Sequence, residues 1–571
     1  MTPMKNIIKK LGLILLTGTV LFSSCESTEL DLANNPNQLS PDQSNPDLFL
    51  NSIQVDFANF TELMSWNGGD MVRIGYMNGR NYQNIPNFAP AQLDFEWEIA
   101  YQGDNRQTIN GILSDIRAME PVAVEDELLH HTAIAQFIEA YTMTTLVDFF
   151  GDVPYSEAIQ ADGEEPILNP VADPGASIYD AVLLLLDEAI ANFGRDVINE
   201  PLNDFYYGGN WDNWIKACNT LKMKILLQRR LVDPNAITAF QAIVASGNYI
   251  TETSEDLQFQ WGSNAVQPDT RHPRYADNYL TDGGADYVPN WLVNYMLVNG
   301  DPRIRYYFYR QTNAVPGEEI PPNEETLACS LETPPQHYTD GGFTFCTLPN
   351  GYWGRDHGQN AGIPPDGFLR TVYGVYPSGG KFDDDSFEGL SVGSGGGGAG
   401  VTPVLLASWV DFMQAELAML DSDFETAKTF LLDGVQKSVA KVLTFGSLDS
   451  SADVERFTPT EGQITNHLNQ VEGRFDAATT LDDRFDVLAE EYFVALFGNG
   501  IDGYNFYRRT GYPTTLQPNL EPPGQTGAFI RSLQYPAIFV NNNSSVQQKP
   551  DQTVQVFWDT NPPSPQFPRA N

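Results

Sequence analysis

The chain is short of cysteine, histidine and basic residues, and each shortage closes a class of explanation. Four cysteines in 571 residues exclude a scaffold built on disulfides, which very small secreted domains need and a chain of this length does not. Six histidines without an H-E-x-x-H spacing leave little for a catalytic zinc centre. His130 and His131 are neighbours in a helical pattern, so they point about 100° apart and cannot both face one metal. Lysine and arginine total 32 against 74 acidic residues, a formal charge of −42. That balance argues against nucleic acid, whose binding rests on neutralised phosphates, and against electrostatic attachment to anionic lipid. It suits neutral partners. Beyond the N-terminus no apolar run approaches the ~20 residues that cross a bilayer.

The N-terminus reads as a leader. Lys5, Lys9 and Lys10 precede the apolar stretch Leu11 to Phe22, of roughly the length of a signal-peptide core and too short for a membrane span. Ser23, Ser24 and Cys25 resemble the box of bacterial lipoproteins, in which the cysteine thiol takes a diacylglyceryl group and becomes the new N-terminus. An ordinary secretory signal with an incidental cysteine is the alternative. Residues 1–24 are therefore expected to be removed, and residues 25–45, polar and proline-containing, to form a tether carrying lipid, palmitate included, at Cys25. Several acyl chains hold where one holds only marginally. Glu26, Glu29 and Asp31 resemble a surface-export signal, which implies an outer-membrane protein facing the cell exterior. Cys329 and Cys346 flank a loop rich in Pro, Thr and Gly and are expected to pair in an oxidising compartment. Cys218 falls within a helical pattern.

What is abundant is helical periodicity. In 127–150, Ile134, Phe137, Ile138, Tyr141, Thr145 and Phe149 share a face. Segment 177–193 opens with Ser177 and Asp180 at capping-box spacing. Segment 211–230 aligns Trp214, Cys218, Leu221 and Ile225, and a shorter helix is expected around 235–246. Thr402 and Pro403 read as N-cap and N1 of a helix through Leu420. Ser422 and Glu425 open the next helix, close enough to be its antiparallel neighbour, and Thr480 and Asp483 open another that Gly498 closes. Helix pairs of roughly mid-thirties repeat length suggest a tetratricopeptide-like array. The expected fold is mainly α, a single large domain over 46–571 with a tetratricopeptide-like helical frame. The stretches 62–95, 250–400 and 510–571 are expected to be long irregular loops upon it. Trp97, Trp211, Trp214 and Trp409 lie in helical patterns and are assigned to the core.

Three stretches carry a family resemblance. "LVDFFGDVPYSEAIQ" (146–160), "VTPVLLASWVDFMQAELAMLDSDFETA" (401–427), and "EEYFVALFGNGIDGYNFYRRTGYP" (490–513) followed by "FIRSLQYPAIFVNNN" (529–543) resemble segments of SusD/RagB-family outer-membrane lipoproteins, in that family's order. "DPRIRYYF" (301–308) is a weaker fourth. In them Gly151 can end a helix, Asp152 can cap a turn, and Arg508 and Arg509 can hold loop carbonyls or carboxylates. The resemblance implies a non-enzymatic surface protein that binds an oligosaccharide or polysaccharide and delivers it to a SusC-like TonB-dependent transporter. Some relatives of the RagB type take peptides instead. It implies no cofactor.

A glycan site needs aromatic rings beside amides, carboxylates or arginine: rings to cover C–H faces, polar groups to orient hydroxyls. By relative placement in the family, loops 64–84 and 259–287 are the expected site. The first supplies Trp66, Asn67, Asp70, Tyr76, Asn81 and Tyr82; the second Trp261, Asn264, Arg271, Tyr279 and Tyr287. Trp353 is expected to join them from 351–360. The bland alternative is that these rings pack loops onto the frame. Signals of catalysis are weak. The glycines of "GSGGGG" (393–398) have dinucleotide-loop spacing but lack the strand before them, and read as a flexible loop. Glu490 and Glu491 raise the possibility of a secreted glycoside hydrolase, but adjacent acids arise by chance among 74. "FDDDS" (382–386) and "DGGAD" (282–286) read as solvated acidic turns, with no EF-hand pattern behind a calcium reading, and no metal is expected.

Overall fold

The computed structural model describes residues 45–571, apart from 80–81, 83–84, 104–109, 161–165, 318–326, 361–365, 523, 565–566 and 568–571. Cys25 and the leader and tether segments up to residue 44 lie outside the described residues. The longer helices are α1 (Pro46–Met71), α2 (Asp94–Ala100), α3 (Ile112–Glu125), α4 (Leu129–Phe150), α5 (Gly175–Phe193), α6 (Trp211–Arg229) and α7 (Ala236–Ser246). After a long loop region come α8 (Asn290–Val298), α9 (Ala407–Leu420), α10 (Phe424–Leu443), α11 (Glu461–Ala477), α12 (Leu481–Ala495) and α13 (Gly500–Thr510). Strands are few: β1 (Leu257–Gln260) pairs antiparallel with β4 (Val401–Leu405), and β2 (Phe308–Tyr309) with β3 (Val372–Tyr373). No described helix is long and apolar enough to cross a membrane.

Helices adjacent in sequence pack on each other: α4 on α5, α5 on α6, α6 on α7, α9 on α10 and α11 on α12. This is the antiparallel hairpin stacking of a tetratricopeptide-like frame, and Pro46–Asn571 forms one unit around it. Aromatic packing joins the layers. Trp214 stacks on Phe193 at 5.6 Å and meets Phe137 edge-on at 5.3 Å. Glycine permits the tightest crossing, between α1 and α13. A Cβ at Gly68 would strike the backbone of Gly500, and one at Gly500 would strike Ser65 and Gly69. Two buried arginines clamp the frame: Arg509 reaches both oxygens of Glu416 (2.9 and 2.6 Å), and Arg508 donates to the Arg531 carbonyl and to Asn505 Oδ1, each at 2.6 Å.

Local signals operate as expected at several ends. Gly151 ends α4 at φ 81°. Thr480 and Asp483 form a reciprocal capping box on α12. Elsewhere tertiary pairing wins. Thr402 and Pro403 do not cap a helix: they lie in β4, where Pro403 opposes Gln258 beside an irregularity in register. The missing N–H of proline is tolerated at such a break, and the buried run Val401–Leu405 is strand-like. Ser177 and Asp180 do not open α5 either. It begins two residues earlier, and the N–H of Gly175 finds the Asp152 carboxylate at 2.8 Å. Asp423, not Ser422, caps α10. Trp211 is only half-buried, at the first position of α6. The glycine run is no free loop. Gly396 and Gly398 donate to Gly380 and Gly379 at 3.0 Å each, and a Cβ at Gly395 would collide with the Gly380 carbonyl. Glycine is there because two backbones touch.

A disulfide joins Cys329 to Cys346, with Cα atoms 5.7 Å apart, and Cys218 is a buried free thiol.

Candidate functional site

The C-terminal end of α1 brings three loops together. Trp66, half-buried, faces the guanidinium of Arg274 at 4.4 Å, and the same guanidinium lies 4.5 Å from the ring of Tyr373 in β3. Arg274 rides on a short helix (Pro273–Asn278) that starts at a proline, with the His272 ring accepting its backbone N–H. Its charge is balanced by Glu62, one helical face back from Trp66, at 3.4 Å. Glu62 also accepts from Thr402 Oγ1 at 3.2 Å, and that hydroxyl accepts from Trp261 Nε1 at 2.9 Å. Trp66 and Asp70, expected on a loop, lie in α1, which runs on to Met71, and Trp66 and Trp261 thus sit on one polar chain.

Next to it lies a carboxyl under strain of burial. Asp70 Oδ1 has no protein partner among the described residues. Burial pushes the Asp70 carboxyl well above the usual range; Arg274 opposes this and Asp286 adds to it. A neutral carboxyl can donate as well as accept. Gly75 folds over it closely enough that a Cβ there would hit Asp70 Oδ1. Tyr76, half-buried, donates to the Gln359 carbonyl and meets Tyr287 edge-on at 5.8 Å. Burial holds the Tyr76 hydroxyl up at about 12 against the pull of Arg355. Tyr287 carries Arg355 at 4.2 Å and Arg370 at 4.1 Å and donates to Asp366 at 2.7 Å.

The remaining expected residues divide. Asn264 is exposed, but its amide donates to the Val266 and Pro268 carbonyls and so shapes its own turn. Arg271 pairs with Asp269 at 2.7 Å. Asn67 donates to Glu96 at 2.9 Å and is buried. Tyr82 is buried against Phe529 and bonded to His357. Asn81 lies outside the described residues. The large rings turn inward. Trp353 and Tyr279 are each 0% exposed and Trp261 is 7% exposed. Trp353 Nε1 donates to the Ala314 carbonyl at 2.9 Å, and the Tyr279 hydroxyl to the Tyr373 carbonyl at 2.6 Å. Trp558, also outside the helices, is buried. The expectation of tryptophan faces displayed from the loops is therefore corrected. In long loops an aromatic ring is what anchors chain to frame, and each inward N–H or O–H found an acceptor. Of the side chains of this cluster, Trp66, Tyr76 and Asp286 keep part of their surface open. Arg274, Arg370, Asp366 and Tyr373 were not singled out from the sequence. The one cue available was the helix-opening proline before Arg274.

Two acids of this cluster are engaged, Asp366 by Arg370 at 2.8 Å and Asp286 by Asn278 at 2.9 Å, whereas Asp70 keeps one oxygen without a protein partner. Asp383 and Asp385 of the acidic turn are held by Arg305 and Arg310. Among the described residues one set of ligand atoms lies close enough to hold a metal: those of Asp301, His467 and Glu491, within 4.8 Å of one another. Arg303 already bonds both carboxylates (2.6 and 3.3 Å), and Tyr295 takes the other Glu491 oxygen at 2.9 Å, with Arg474 alongside. Two guanidiniums balance two carboxylates there, so a divalent ion would add uncompensated buried charge.

Comparison with known proteins places this geometry in a family. Residues 36–320 match a family model described as "Starch-binding associating with outer membrane", and residues 400–556 match one described as "Susd and RagB outer membrane lipoprotein". A SusD homologue from Bacteroides uniformis shares the fold with TM-score 0.61 at 18% identity, over 90% of this chain and 99% of that one. A SusD/RagB family protein from Bacteroides thetaiotaomicron gives 0.62 at 16%, again over 90% and 99%. A chitin-binding SusD homologue from Flavobacterium johnsoniae gives 0.57 at 16%, over 90% and 99%. No functionally curated protein matches the sequence. With both halves matched in order and the helical frame shared along nearly its whole length, the chain belongs to the SusD/RagB family of outer-membrane lipoproteins.

Proposed function

We propose that the protein captures neutral oligosaccharide or polysaccharide at the outer membrane and hands it to a SusC-like TonB-dependent transporter. In this reading it is anchored through lipid on Cys25 and faces outward. The observation that carries the reading is the match of residues 36–320 to a starch-binding, outer-membrane-associated family model. The chitin-binding relative supports carbohydrate as the ligand class, and the −42 charge favours a neutral glycan over a polyanionic one. The binding face is built by the end of α1, carrying Trp66 and Asp70, and by the loops carrying Tyr76 and Asp286, with Asn264 and Arg271 on the turn before Arg274. In this reading the protein binds without cleaving: Asp286 and Asp366 are tied to an amide and an arginine, and Asp70 is buried, which leaves no pair of free carboxylates across an open cleft.

Isothermal titration of the intact protein against starch, chitin oligosaccharides, xylan and mannan tests this. Saturable heat with at least one glycan is expected. Heat with peptides and none with any glycan would move the reading to peptide capture, and release of shortened sugars would make the protein a hydrolase.

A further inference from the structure

The chain holds six Asn–Gly steps, opened by Asn67, Asn78, Asn110, Asn299, Asn350 and Asn499. This dipeptide carries its own chemistry. The side-chain carbonyl carbon of asparagine can close a five-membered ring with the next backbone nitrogen. A glycine there brings no Cβ to obstruct the approach and leaves the backbone free to turn. Whether the ring closes depends on whether both groups are free to meet.

At five steps they are held apart. Asn67 lies within α1, and its amide donates to Glu96 at 2.9 Å. Asn110 donates to Ser52 Oγ at 3.1 Å. Asn299 donates to the Tyr295 carbonyl at 2.9 Å, while the Gly300 N–H is given to the Leu297 carbonyl at 3.3 Å. Asn499 caps α13 by accepting the Asp502 N–H at 3.1 Å, and the Gly500 N–H goes to Ser65 Oγ at 2.9 Å. At Asn350 the backbone carbonyl accepts from Arg310 at 2.8 Å, which fixes the peptide plane carrying the Gly351 nitrogen, and Gly351 is pressed against the Thr312 carbonyl. Asn78 differs. It is exposed and lies outside any helix or strand. Among the described residues neither its amide nor the Gly79 N–H has a hydrogen-bond partner.

We propose that Asn78–Gly79 is a modification site, at which the protein deamidates without an enzyme. The Gly79 nitrogen attacks the side-chain carbonyl carbon of Asn78. A C–N bond forms, the bond to the amide nitrogen breaks, and ammonia leaves with the proton of the Gly79 N–H. Water then opens the succinimide at either carbonyl, giving aspartate or isoaspartate at that position. Nothing is oxidised or reduced, and water is the one co-reactant. The product adds a negative charge, and in its isoaspartate form a backbone methylene, two residues after Tyr76. The change falls at the edge of the proposed binding face, although its chemistry does not depend on what that face binds.

The test holds the full-length folded protein in mildly alkaline buffer at 37 °C and samples it over time for peptide mapping by mass spectrometry. The expected result is conversion at Asn78 at least tenfold faster than at any of the other five steps, with aspartate and isoaspartate both present. In concentrated urea, where the contacts that protect the other five are gone, that tenfold lead should disappear. Asn78→Gln, which lengthens the ring that must close, should remove the early release of ammonia from the folded protein. A faster step elsewhere in the folded protein overturns the assignment, as does an unreacted Asn78 beside a urea sample that converts. Aspartate without isoaspartate overturns the succinimide route.

Discussion

The Arg274 guanidinium lies 4.4 Å from the ring centroid of Trp66 while its Nε points at Glu62, 3.4 Å away. One side chain thereby fixes the orientation of the ring and neutralises a carboxylate that is almost wholly buried.

Replacing Arg274 with alanine leaves Glu62 without its nearest cation. The expected cost is about 3–5 kcal/mol, the range for breaking a buried pair, read as a lower urea midpoint. Arg274→Lys should recover part of the stability, because charge returns but the flat stacking surface does not. Trp66→Ala, at a half-buried position, should cost less stability and weaken glycan binding in calorimetry.

Gly500→Ala should destabilise by about 1–3 kcal/mol or more, because the obstruction is backbone of α1 and not a movable side chain. Thermal unfolding measures it. Gly462→Ala, at an open position on α11, is the control and should leave the midpoint unchanged or raise it.

The frame was legible in the sequence because helical spacing, caps such as Thr480 with Asp483, and terminators such as Gly151 are local. The arginines at 508 and 509 were readable as holders of buried groups for the same reason: two planar cations beside glycine and tyrosine at a helix end have little else to do. What the sequence could not convey was facing. Trp261 and Trp353 sit among amides and glycines, as a sugar ledge would, yet each gave its N–H to a distant acceptor, Thr402 or Ala314. Likewise Thr402–Pro403 has the local chemistry of a helix start, and only its partner 140 or so positions earlier makes it a strand.

Glu490 gives a pH signature. Burial raises its carboxyl from 4.5 to about 7, with Thr515 and Arg474 pulling the other way. The folded state therefore holds a proton that the unfolded state releases. The stabilisation is complete below pH 4.5 and is lost as pH rises through 7. Glu490→Gln should flatten the stability profile across that window, by an amount of order 1–3 kcal/mol, measured by urea unfolding at half-unit steps.

Cys329→Ser should cost about 3 kcal/mol, the expectation for a loop of this size, with the disulfide spanning 17 positions. Thermal unfolding with and without reductant checks it: reductant should lower the midpoint of the native protein and not that of the variant.

The arginines carry one last consequence. Arg73, Arg303, Arg508 and Arg531 are all but sealed from solvent, and a chain with only 32 cations has few left to decorate its exterior. The outer skin is therefore predominantly anionic. Such a particle should migrate fast in an electric field, stay dispersed in dilute buffer, and turn away sulfated or uronic polymers before any contact is made.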